Sequence, residues 1–128
     1  MEEMDYTIES PKSIDEAARD LEKAARDVNF RILAVHNVQD TLAEKGFEIE
    51  PLRIFELCHA GFAYKALSRD INTAMFMPCK IILRINNGRT MMTLVKPSMI
   101  SRLLPDSGLR ETAAEVEKQL IGILDEIK

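Results

Sequence analysis

The hydrophobic and polar positions of this chain fall into two periods that alternate along it. Met4, Tyr6 and Ile8 lie on one side of Asp5, Thr7 and Glu9, the period of a strand with one buried face, and the pattern stops at Pro11. Ser13-Ile14-Asp15-Glu16 has the form of a capping box, in which a serine oxygen and a glutamate three residues later satisfy free amides at a helix start. Ile14, Ala17, Ala18, Leu21, Ala24, Ala25 and Val28 then recur at three-and-four spacing, so a helix with one covered stripe is predicted. Phe30 to Val35 is short and almost continuously apolar, which predicts a second strand buried on both faces and completes a strand-helix-strand unit. Asn37 can cap a short helix through Val38, Leu42 and Lys45, with Gly46 where a left-handed terminator is wanted. Phe47 to Glu50 alternates up to Pro51.

Leu52 to Leu57 predicts a third strand in which both faces are partly apolar, so the pattern alone does not choose the core side. If the strand runs on, Cys58 and His59 point opposite ways. Ala60 to Leu67 has the spacing of a short helix, and Asn72 to Pro78 is apolar but irregular. Cys79, Ile81, Leu83 and Ile85 alternate with Lys80, Ile82 and Arg84, and Asn87-Gly88 follows, a pair that tolerates the positive φ of a tight hairpin turn. With that pair as the turn, Asn86 faces Arg89, Ile85 faces Thr90, Leu83 faces Met92 and Ile81 faces Leu94, which gathers the apolar residues of both strands on one face. Lys96 to Ser107, with Met99, Ile100, Leu103 and Leu104, predicts a covered loop or one helical turn. Leu109, Thr112, Ala113, Val116, Leu120, Ile123, Leu124 and Ile127 form the stripe of a long C-terminal helix; Ile121 lies off it, as a partner contact or as a covered edge of the core. The sum is one α+β domain over residues 1–128, a two-layer sandwich with a mostly antiparallel sheet, a strand-helix-strand N-terminal unit and a long final helix.

With 46% hydrophobic and 30% charged residues, 128 residues are enough for one core. A net charge of −4 argues against a nucleic-acid partner, which calls for an excess of Lys and Arg on one face. No apolar run approaches the ~20 residues that span a bilayer. Met1-Glu2-Glu3 lacks the basic flank of a signal peptide, so a cytoplasmic protein without membrane partners is expected. Two cysteines are too few for a disulfide scaffold and default there to free thiols.

The candidate chemistry is concentrated in Cys58, His59, Met77 and Cys79. A thiol beside an imidazole can be held as thiolate, and a second thiol can resolve a mixed disulfide or, with Cys58 and His59, complete a metal site. A disulfide needs Cα atoms within ~7 Å, which adjacent antiparallel strands allow and a parallel pair joined by a 60–77 crossover opposes, so topology decides the matter. Packing alone also accounts for both cysteines as small apolar residues at strand ends. His36 follows an apolar strand and suits a surface or capping role, or the edge of a polar cleft. Met75, Met77, Met91, Met92 and Met99 are core filler or the lining of an apolar pocket. The acidic positions Asp15-Glu16 and Glu115-Glu117 lie off the apolar stripes and read as solvated helix faces. There is no phosphate-binding loop, dinucleotide fingerprint, G-x-S-x-G or H-E-x-x-H, which disfavours enzymes of those classes.

Cys58, the helix with Ala63-Tyr64, the triplet Pro78-Cys79-Lys80 after Met77 and the hairpin Ile81 to Leu94 resemble the family catalogued as domain of unknown function 302, over about residues 31–97. Some members carry Asn-Pro where this chain has His59-Ala60. The resemblance implies a small two-layer α+β fold and homodimers; it implies no activity or catalytic residues. The readings that follow are a homodimeric module that binds a small ligand or handles thiols or persulfides, with Cys58 and Cys79 near a pocket; a metal or haem site using Cys58, His59 and Met77 or Cys79; and an interaction domain that docks through Ile121.

Overall fold

The computed structural model describes residues 4–128; Met1-Glu2-Glu3, on which the signal-peptide argument rests, lie outside the described residues. Strand β1 (Asp5–Ser10) leads into helix α1 (Ile14–Asp27), whose first turn is capped by Ser13, the hydroxyl oxygen accepting from the Glu16 amide at 3.1 Å. Strand β2 (Arg31–Asn37) and the short helix α2 (Val38–Ala43) follow, with Asn37 accepting from the Asp40 amide and Gly46 at φ 82° closing the turn beyond. Then come β3 (Leu52–Cys58), α3 (Ala60–Arg69), a 3-10 segment (Ile71–Phe76), the hairpin β4 (Cys79–Asn86) and β5 (Arg89–Val95), the short helix α4 (Met99–Leu103), a 3-10 turn (Pro105–Ser107) and α5 (Arg110–Ile127).

The five strands form one fully antiparallel sheet in the order β1-β5-β4-β3-β2. β1 and β2, the strands joined through α1, therefore lie on opposite edges. The hairpin register is the one that its turn dictates, with Asn86 opposite Arg89 and Ile81 opposite Leu94, and with Asn87 and Gly88 at φ 53° and 78°. Pairing of β3 with β4 also settles which face of β3 turns inward: Phe55 lies opposite Ile81 and Leu57 opposite Cys79, so that set joins the core. Arg53, on the same face near the start of the strand, reaches out to Asp15 in the first turn of α1 at 2.6 Å.

α1 and α5 pack side by side over this face, with Ala17, Leu21, Leu120, Ile123 and Leu124 closing on Phe55, Leu57, Ile81, Leu83, Met92 and Leu94. The alanines of α1 let its backbone approach the sheet, and the leucines of both helices supply area at about 25 cal/mol per Å². The other face has no such cover: every residue on it is half-buried or exposed. This is the two-layer α+β sandwich.

β2 departs from expectation. Its apolar run predicts burial on both faces, yet it is an edge strand with a bulge between Ile32 and Ala34, and Leu33 and Val35 are exposed. Burial on both faces is the pattern of a central strand, and β2, at the edge of the sheet, has a neighbour on one side alone. Phe47 to Glu50, despite its alternation, forms no strand and is exposed. Ile121 is half-buried and packs against the core, as a covered edge would.

Candidate functional site

Strand β3 ends at Cys58 beside the start of β4, where Leu57 and Cys79 are direct partners. Cys79 consequently shares the core face with Leu57, while Cys58, one residue on, leaves β3 on the other side. The two thiols are neighbours across adjacent strands and both are free.

His59 turns the chain from β3 into α3. It is extended (φ −109°, ψ 110°), and its Nδ1 accepts from the Phe62 amide at 3.4 Å, the N-cap position of α3. The ring sits edge-on to Phe30 at 5.3 Å and tilted on Phe62 at 4.3 Å. With Nδ1 engaged in the cap, Nε2 is the ring atom left for other chemistry. Among the described residues no three His, Cys, Asp or Glu side chains are grouped so as to hold a metal ion, so Cys58, His59 and Cys79 are not a preassembled metal centre.

These residues surround a cavity of about 340 Å³ between the sheet end and α3, bordered by Cys58, His59, Met77 and Cys79, with Phe62, Leu67, Phe76 and Ile100 among its apolar walls. Among the described residues its lining contains no Lys, Arg, Asp or Glu. Burial pushes the Cys79 thiol up to about 11, reinforced by the nearby Cys58 and opposed by Lys80. At neutral pH Cys79 is thus a protonated, weakly polar wall. Cys58, like Cys79, is half-buried.

A second chamber of about 190 Å³ adjoins the first, sharing Phe76, Pro78, Cys79, Pro97 and Ile100 as walls. Met75, Met99, Lys80 and Lys96 are added there. The Met77–Pro78 peptide between the chambers is cis. The methionines are therefore divided: Met92 is core, Met91 lies on the uncovered sheet face, Met77 borders the first chamber, and Met75 and Met99 the second. His36 borders neither; it is exposed and pairs with Glu56 at 3.0 Å.

Sequence reasoning overlooked Phe62, Leu67, Phe76 and Ile100 as cavity walls, and it did not place Lys80 and Lys96 at the site. The lysines were within reach of it. A hairpin register that sets Ile81 opposite Leu94 also brings Lys80 beside Val95 and Lys96 at the same sheet end.

The family model described as "Domain of unknown function DUF302" matches residues 6–127, well beyond the segment 31–97 that carries the visible motifs. The chain belongs to the DUF302 family. A solved structure titled "Crystal structure of uncharacterized conserved protein DUF302 from Bacillus stearothermophilus" is similar at a TM-score of 0.93 and 30% identity, over 98% of each chain. No curated protein matches. The family's description assigns no activity to this DUF302 chain, and no helix among its described residues is long and apolar enough to cross a membrane.

Proposed function

We propose that this DUF302 protein is a small-molecule-binding module of the cytoplasm, working as a homodimer, that takes the apolar part of its ligand into the chamber beside α3 and offers Cys58 as the thiol that accepts the outer sulfur of a persulfide ligand, forming a Cys58 persulfide and releasing the ligand's thiol. The observation that carries this reading is an uncharged chamber of about 340 Å³ with Cys58, His59 and Cys79 in its wall. Its volume falls in the roughly 300–1,000 Å³ range of ligand sites, and few polar groups in a mainly apolar lining is their usual composition. Cys79 supports the binding part more than the redox part, since a thiol held protonated is a poor nucleophile. Support for the dimer is the uncovered face of the sheet, with Ile54 opposite Ile82 at its middle.

1-Octanol, an uncharged probe, tests the chamber. Binding followed by calorimetry should saturate in the millimolar range or below. Ala63→Phe, and more mildly Ala63→Leu, project new side-chain volume from α3 into the lining and should weaken binding by about tenfold or more while the protein keeps a cooperative melt. Absence of octanol binding by the native protein, or binding untouched by both variants, overturns the reading.

A further inference from the structure

We propose that the persulfide taken by this protein carries a carboxylate, and that the guanidinium of Arg31, directly opposite Cys58 across β2 and β3, receives it. This rests on the Cys58 reading above and adds the ligand's class, the persulfides of acidic thiols. In the antiparallel pairing of β2 with β3, Arg31 and Cys58 are partners at one corner of the sheet. Directly opposed residues share a face and hold their Cβ atoms about 4.5–5.5 Å apart, so a group tethered by a few bonds to the Cys58 sulfur comes within the sweep of an arginine. Arg31 is exposed, and among the described residues no hydrogen bond or ion pair engages its guanidinium.

The surrounding charges favour an anion. The acid of β3, Glu56, lies two residues back on the same face, but it meets His36 at 3.0 Å and stands opposite Lys80. Phe30 is a wall of the apolar chamber and also of an open hollow of about 610 Å³, where Arg26 and Arg31 stand against one acid, Glu22. In a chain of net charge −4, that corner is a local excess of positive charge. A ligand whose body fills the chamber and whose sulfur meets Cys58 therefore presents its remaining end to a guanidinium. The planar fork of Arg can take both oxygens of a carboxylate at once. The exchange itself then balances without further reagents: the Cys58 thiolate attacks the outer sulfur, the ligand's S–S bond breaks, and the inner sulfur leaves with the electron pair and takes up the proton that Cys58 gave. Arg31 selects and aims the ligand and takes no part in the bonds that change.

The test uses 2-carboxyethyl methanethiosulfonate and ethyl methanethiosulfonate, alike except for the carboxylate, each of which passes its alkylthio group to a thiolate and releases methanesulfinate. Labelling of Cys58 is read at pH 7.5 from the mass of the peptide that carries it, and each rate is divided by that reagent's rate with 2-mercaptoethanol. The native protein should favour the acidic reagent by about threefold to tenfold, and less as salt is added. Arg31→Gln should bring the ratio near one and Arg31→Glu below one, while the rate with the ethyl reagent and the thermal melt stay unchanged. A native ratio near one overturns the inference and leaves exchange at Cys58 standing. So does a ratio that both variants leave as it was, the result expected of a charge that only guards the sheet edge. Inertness of Cys58 to both reagents is instead the failure of the exchange, and the inference falls with it. If one variant does not fold, the other decides.

Discussion

Cys58 and Cys79 show how one position in a strand changes a side chain's chemistry. Cys79 faces Leu57 on the core side, and removal from water disfavours its charged form. Cys58 lies one residue beyond Leu57, on the other side of the strand. A chromogenic disulfide reagent at neutral pH should therefore titrate one thiol quickly and the second only slowly or on unfolding, and Cys58→Ser should abolish the fast phase. Two equally fast thiols would contradict the placement of Cys79. The same burial has a thermodynamic side. The folded thiol is raised from 9.0 to about 11, so between those values the unfolded chain has lost its proton while the native state retains it. Stability from this group is present below pH 9 and is lost as pH rises to about 11, by at most about 2–3 kcal/mol. The measurement is a difference: denaturant unfolding of the native protein against Cys79→Ala, with the variant showing the shallower alkaline loss.

At the scale of elements, local chemistry is most decisive at the β4–β5 turn. Gly88 has φ 78°, and a Cβ added there meets nothing within 4 Å. The cost of Gly88→Ala is then purely that of an L-residue in the left-handed region, about 1–2 kcal/mol, and Asn87→Gly should be nearly neutral; both follow from thermal or urea unfolding. Ser13→Ala should lose about 1 kcal/mol by removing the cap on α1, and Ser13→Asp should retain it. These features were legible in the sequence because turn and cap chemistry acts within a few residues. The hairpin register was legible for a second reason, that the apolar positions of both strands agree with the turn. β3 was not, since both its faces carry apolar residues and only pairing with β4 selects Phe55 and Leu57. The edge position of β2 is likewise set by strand order, which no short window encodes. The site divides in the same way. Cys58, His59, Met77 and Cys79 stand out as residue types, whereas Phe62 and Ile100 become walls only when α3 and α4 come together at the sheet end.

For the whole molecule the consequential asymmetry is a sheet covered on one side. Across the uncovered face, Ile54, Ile82, Thr93 and Thr7 form the central row, flanked by Glu56 and Lys80 on one side and by Arg84, Met91 and Glu9 on the other. Such a face, apolar in the middle and carrying both signs of charge around it, can meet a second copy by a two-fold axis that brings each acid near a base. Its size limits the strength of the contact. Strands about 4.8 Å apart and some six residues at about 3.3 Å each give five strands a face of roughly 20 by 20 Å, so two copies bury an area near the ~1,000 Å² at which specific interfaces begin. A dimer formed this way should dissociate in the micromolar range and not persist at all dilutions. Sedimentation across that range should show a concentration-dependent shift from one subunit to two. Ile82→Lys, which puts an unpaired charge in the central row while leaving the helix-covered core intact, should hold the protein monomeric with little change in its melt. A native protein that stays monomeric throughout, or a dimer that Ile82→Lys does not disturb, removes the homodimer from the proposed function and leaves the chamber to be judged by its own ligands.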